Sequence, residues 1–248
     1  MQNNNIIIKR FEELSNRCEK IYSVVFSDFL DLQMQSLLLK SGIPFSRLCG
    51  GYDGAERKIA VFGEEYLYGQ ELELPAVWLN ISPIAPKFAD TLTHRDYLGA
   101  LINTGIERDV LGDLIIHENT CFVFIMENMA QYVISELETV KNTKVKCTTV
   151  DALPPFAIAQ PEEMTIISAG NRTDAVISSV YNISRGDAIS LIQGGKVFIN
   201  SAELSQNHKP LKENDIVSVR GYGRFIFSHV TDSTTRSGKL RIVIKKYN

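Results

Sequence analysis

Only four cysteines occur in 248 residues, and they are scattered. Cys18, Cys49, Cys121 and Cys147 form no CxxC pair and no cluster with histidine, which excludes a disulfide scaffold and a zinc site and leaves buried free thiols as the expectation. Long apolar runs are equally scarce. The longest, Cys121 to Met126, falls far short of the roughly 20 residues a membrane-spanning helix needs. The opening MQNNNIIIKR follows three isoleucines with charge and has neither the apolar core nor the small-residue cleavage site of a secretory signal, so a cytoplasmic location is expected. Catalytic signatures are missing too. GGYDG has no GxxxxGK[ST] continuation. His94-Arg95-Asp96 has Leu101 where a kinase catalytic loop has Asn, with no DFG to follow. His94, His117, His208 and His229 show no ligand spacing, and neither a metal nor a cofactor is expected.

What is present is ordinary globular composition, 44% hydrophobic and 22% charged, in a chain long enough for two or three domains. The net charge of -3 conceals an asymmetry. Residues 171–248 hold six Lys and six Arg against six carboxylates, a balance of +6, so the preceding 170 residues carry -9. A basic module on an acidic body suits a polyanionic partner, because phosphate contacts release counterions while the acidic remainder opposes indiscriminate adhesion.

Periodicity divides the chain into an N-terminal α/β domain (1–70), a central domain (71–160) and a C-terminal module (161–248), giving an α+β fold. Phe11, Leu14, Cys18 and Ile21 have helical spacing, and Phe26, Phe29, Leu30, Leu37 and Leu38 predict a second helix stopped by Gly42 and Pro44. Two short strands then flank GGYDG, with Arg57 to Phe62 as the return strand. The central pattern is βαββαβ. A strand over Pro75 to Ile81 precedes a helix opened by a Thr93/Asp96 capping box. Strands over Asp113–His117 and Cys121–Met126 form a hairpin, a helix covers Glu127–Val140, and a strand begins at Lys144. That order predicts a ferredoxin-like sandwich, a topology shared by RNA-binding domains and unrelated proteins. After prolines 154, 155 and 161, capping boxes at Asn171/Asp174 and Ser184/Asp187 start two helices, which precede four strands. Arg172 and Arg185 stand in the first turns of those helices, where they oppose the macrodipole. A phosphate shared by helix N–H groups and guanidinium would offset that cost. Trp78 and Tyr97 in the central domain, and Tyr222 and Phe225 beside Arg220 and Arg224, are candidate base-stacking residues, with core packing the commoner role for a tryptophan on a strand.

The segment RTDAVISSVYNISRGDAISLIQGGKVFIN, with Asp215-Ile-Val-Ser-Val-Arg220, resembles the S4 RNA-binding domain. GGYDGAERKIAVF and THRDYLGALINTGIERDVLGDLII are similar to the YlmH family of bacterial S4 proteins, in that family's domain order. Thr173 replaces the usual Leu, and Gly186-Asp187 stands where a basic residue is common. The resemblance implies a non-catalytic protein that binds rRNA and peptidyl-tRNA on the 50S subunit in ribosome-associated quality control. It implies no membrane, DNA or cofactor, and nothing in the sequence demands more than a monomer. Arg172, Ser184, Arg185, Lys196 and Asn200 match the S4 pattern, and Arg220 and Arg224 extend the basic face. Asp174 is expected to cap its helix or orient an arginine. Asp53, Arg57, Lys58 and Arg95 form a possible second surface. The enzymatic alternative, an RNA-modifying protein docked by S4, lacks HIGH, KMSKS and GxGxxG signatures. A third class is a protein adaptor using the acidic part.

Overall fold

The computed structural model describes residues 2–63, 73–158, 160–206 and 208–247. It is a mixed α and β structure in two compact units, Met1–Ile158 and Ala159–Asn248. The expected boundary near residue 70 lies outside the described residues. On either side of it, the chain shares one compact unit.

In that unit, α1 (Gln2–Ile21), β1 (Val25–Leu30) and α2 (Leu32–Ser41) precede β2 (Arg47–Cys49) and β3 (Lys58–Phe62), and the strands pair in the order β1-β3-β2. The second helix predicted to begin at Phe26 is thus corrected: Phe26, Phe29 and Leu30 lie on a strand. Its apolar residues Phe26, Phe29 and Leu30 imitate i, i+3, i+4 spacing because Ser27, which is buried, is polar and because the register shifts between Phe26 and Phe29. Val25 and Leu30 join the core beneath the helices, whereas Phe29 faces the next layer. Asp31 caps α2 by accepting the Met34 N–H at 2.8 Å.

That next layer is a five-stranded antiparallel sheet. Its strands are β4 (Ala76–Pro83), β5 (Leu111–His117), β6 (Thr120–Met126), β7 (Thr139–Val140) and β8 (Thr143–Val150), in the order β5-β6-β4-β8-β7. The β5-β6 turn is the expected hairpin, with Glu118 and Asn119 both at positive φ. Helices α3 (His94–Asn103) and α4 (Glu127–Glu136) cover one face, with Leu79, Tyr97, Leu101, Val123 and Val133 in the core. Thr93 opens α3, its N–H and hydroxyl both donating to Asp96. The helix predicted to reach Val140 ends at Glu136, because Thr139 and Val140 pair with β8 instead.

On the opposite sheet face Trp78 takes the core position that is the commoner one for a strand tryptophan, and does not offer itself for stacking. Trp78 is 4% exposed, 4.8 Å from the Phe124 ring and 6.0 Å from Tyr52, under Phe29 and Ile59 from the N-terminal layer and Leu153 and Ala157 from the segment after β8. Tyr97 is fully buried and donates to the Asn119 carbonyl.

The second unit runs β9 (Glu162–Ser168), α5 (Thr173–Tyr181), α6 (Arg185–Gln193), β10 (Val197–Ile199), β11 (Ala202–Glu203), β12 (Asp215–Val219), β13 (Gly223–Thr234) and β14 (Leu240–Lys246). The sheet order is β11-β10-β12-β13-β14-β9. Both helices pack on one face through Val176, Ile177, Val180, Ala188 and Ile192. Strand β9 was not predicted from the sequence. Little of it is buried, so it lacks alternation, and its pairing along β14 is what orders it. Phe225, one of the candidate stacking residues, is fully buried in this core.

Candidate nucleic-acid interface

The start of α5 is fixed by backbone and not by the expected Asn171 cap. Arg172 is the N-cap residue and bridges Pro210. Thr173 donates both its N–H and its hydroxyl to the Lys209 carbonyl, at 2.9 and 2.7 Å. Thr173, where the S4 pattern has Leu, therefore ties the helix to the 209–211 segment. Ser184 caps α6 in a full capping box: its hydroxyl accepts the Asp187 N–H at 3.0 Å and donates to that carboxylate at 2.7 Å. Asp187, the acidic residue in a basic position, is engaged in that cap.

Asp174 has no exposed surface and holds two arginines. Arg172 Nε and Nη2 donate to its two oxygens at 3.1 and 3.2 Å, and Arg185 Nη2 donates at 2.6 Å. Burial pushes this carboxyl's pKa up; the hydrogen bond and charge of Arg185, then those of Arg172, outweigh it and leave the pKa below 3.8. The two guanidinium side chains remain 48% and 50% exposed. One buried anion thus orients two solvent-facing cations at the starts of two helices, leaving a surplus positive charge where helix N–H groups also point.

Lys196 and Arg220 form a second pair, joined through the Arg220 N–H and the Lys196 carbonyl at 2.9 Å. Both are exposed. The chain turns back after α6, where the Lys196 N–H donates to the Leu191 carbonyl at 3.0 Å, so α6 separates this pair from Arg185. The Arg220 guanidinium lies 5.4 Å from the Phe198 ring and Arg224 lies 4.1 Å from Tyr247. Asn200 is internal in its chemistry: at φ +50° its amide donates to Asp215 at 2.8 Å and accepts the Ile216 N–H at 2.9 Å.

The other expected surface is differently built. Arg57 donates to the carbonyls of Leu111, Phe29 and Arg108 at 2.8, 2.9 and 3.1 Å. Burial lowers its pKa, and burial together with the neighbouring Arg57 brings Arg108 down to about 10. Asp113 accepts from the Tyr52 hydroxyl at 2.8 Å and from the Glu56 and Arg57 N–H groups. Arg57 is therefore a staple between the N-terminal layer and β5. Asp53 is exposed and Lys58 half-buried. Arg95 lines a separate groove of about 710 Å³ whose walls also carry Asp96, Glu136, Glu138 and Lys141, more carboxylate than cation. The residues missed by sequence reasoning, Tyr52, Arg108 and Asp113, lie inside the two stretches that carry the YlmH resemblance. Those stretches are two halves of one contact. Arg57→Met should cost about 2 kcal/mol, since it strands buried carbonyls, and denaturant unfolding followed by the emission of Trp78 would read it.

These features define the class. The chain is a mixed α and β protein, and its residues 79–153 match the family described as "Putative RNA-binding domain in YlmH". Over 234 residues the chain is 28% identical to "Ribosome-associated protein quality control protein P2" of Bacillus subtilis (strain 168), covering 91% of this chain and 88% of that protein. The solved structure "Cell division protein ylmH from Streptococcus pneumoniae" is also similar, at 19% identity and a TM-score of 0.48, over 60% of this chain and 92% of that one. The family match and the Bacillus subtilis relative bear out the YlmH resemblance read from the sequence.

Proposed function

We propose that this protein is a non-catalytic RNA-binding factor of ribosome-associated quality control, which seats an S4-type module, residues 161–248, on rRNA and peptidyl-tRNA of the large ribosomal subunit. The observation that carries the reading is the pairing of half-exposed Arg172 and Arg185 on buried Asp174. Two guanidinium groups fixed in direction read the positions of phosphates, and Lys196 and Arg220 extend that reading along α6. The similarity to a quality control protein supports the ribosomal setting. The +6 balance of residues 171–248 supports a polyanionic partner.

The test is sedimentation with purified 50S subunits, with and without peptidyl-tRNA, at two salt concentrations. The protein should co-migrate with 50S at low salt, more so with peptidyl-tRNA, and leave it at high salt. Arg172→Ala combined with Arg185→Ala should abolish co-migration and reduce the salt slope of rRNA affinity by about 2. A wild-type protein that stays at the top of the gradient at both salts refutes the ribosomal reading. A folded double variant that binds like wild type removes the two arginines from the site.

A further inference from the structure

Among the described residues, the face of the central sheet turned toward the N-terminal layer is covered along only part of its length. Pairing of His117 with Thr120 and of Ser82 with Lys146, with Ile81 opposite Cys121, puts His117, Thr120, Ser82 and Lys146 in one row across β5, β6, β4 and β8. Strand parity places this row on the same face as Trp78, Phe122 and Phe124, and Lys144 two residues along β8 shares it. Where Trp78 and Phe124 lie, the face is closed by Phe29, Ile59 and Leu153. The His117 row is different. Phe156 is 64% exposed, with its ring 5.0 Å from His117 and 6.2 Å from Phe122, and Lys144 and Lys146 are exposed. One row inward, the Asn80 side-chain oxygen is buried and accepts no hydrogen bond among the described residues.

We infer that this uncovered end of the sheet binds a short single-stranded segment of RNA, a base stacking on the Phe156–His117 pair and the adjoining phosphates meeting Lys146 and Lys144. The inference rests on the RNA-binding reading above and gives it a second site. An exposed phenyl ring backed by an imidazole is a stacking platform that accepts any base. Two lysines of one strand face, two residues apart, stand roughly 7 Å from each other and so follow a backbone. Ser82, Thr120 and Thr148 surround the platform with hydroxyl groups, and Ile84, 64% exposed beside Lys144, adds an apolar edge against which a base can also pack. The carboxylate of Glu118, 4.0 Å from His117, borders the platform and disfavours a phosphate at that end, which directs the backbone toward the β8 lysines.

The full chain is titrated with a fluorescein-labelled single-stranded RNA of about six nucleotides containing 4-thiouridine. Complexes are then cross-linked by light and the modified peptides mapped. Phe156→Ala should weaken binding about tenfold and remove cross-links from the peptides holding His117 and Phe156, and Lys146→Ala should weaken it and flatten its salt dependence. Both variants should keep the Trp78 emission of the folded unit, and both should still sediment with 50S. Affinity unchanged in both folded variants, or cross-links confined to residues 171–248, overturns this inference while 50S binding that depends on Arg172 and Arg185 leaves the functional reading standing. A wild-type chain that binds neither the oligonucleotide nor 50S overturns both. Cross-linking of this face to a ribosomal protein in place of RNA overturns the inference alone.

Discussion

Asp174→Ala is expected to loosen the second unit by about 3 kcal/mol, because it removes the partner of two arginines from a site with no exposed surface. Amide hydrogen exchange in α5 and α6 would register the loss, and unchanged protection there would show the ion pairs to be ornamental. The folded-state pKa of Asp174 is depressed below 3.8, so its contribution is fully present above that value and disappears as pH falls through the depressed one. The stability gap between wild type and Asp174→Asn should therefore be widest at neutral pH and shrink as the pH drops below about 4. For RNA, two effects compete. Deleting a carboxylate adds attraction for phosphate, but the screened gain is small, on the order of 1 kcal/mol or less across about 8 Å of Debye length. Losing the fixed directions of two charge-assisted donors costs more, each such bond contributing about 1.5–3 kcal/mol. Net affinity for structured rRNA should fall about tenfold. Tighter binding by Asp174→Ala would mean that the carboxylate restrains the arginines electrostatically and does not aim them.

Gly51→Val should destabilise the first unit by about 3 kcal/mol. Gly51 sits at φ +82°, a left-handed conformation that costs an ordinary residue about 1–2 kcal/mol and a β-branched one more, and a Cβ placed there would meet the Phe124 ring at 2.7 Å. The two faults add because the backbone cannot relieve one without worsening the other: the loop is held by Tyr52 and Glu56 on Asp113. Chemical denaturation followed by Trp78, the chain's single tryptophan, reports on the affected layer, since Trp78 packs against both Phe124 and Tyr52. An unshifted midpoint would show that the loop is free to lift from the sheet. The same glycine that reads in sequence as part of a turn is thus a spacer that lets one layer lie on another.

The GGYDG case shows how far the sequence reaches. The βαββαβ order, the capping boxes at Thr93 and Ser184 and the hairpin turn at Glu118-Asn119 were legible because each depends on residues within a few positions of one another. The charge asymmetry and the YlmH resemblance were legible for the same reason: both are properties of order along the chain. Strand β1 was misread as helix because one of its buried positions is the polar Ser27, which breaks the apolar alternation that marks a strand, and β9 was missed because its order comes from β14, more than seventy residues away. The arginines of the candidate interface could be named from sequence. That a single buried carboxylate would hold Arg172 and Arg185 at once, while Arg57 would be spent on three backbone carbonyls, could not. A guanidinium is free to meet RNA or is consumed by the fold according to which carbonyls and carboxylates surround it, and that surrounding is assembled from segments distant in sequence. The order of residues therefore determined the local elements, the charge of each part and the family they resemble. Only the tertiary structure decided which cations face solvent and which stretch of sheet stays open, because exposure is set by what packs against a residue and not by its neighbours in the chain.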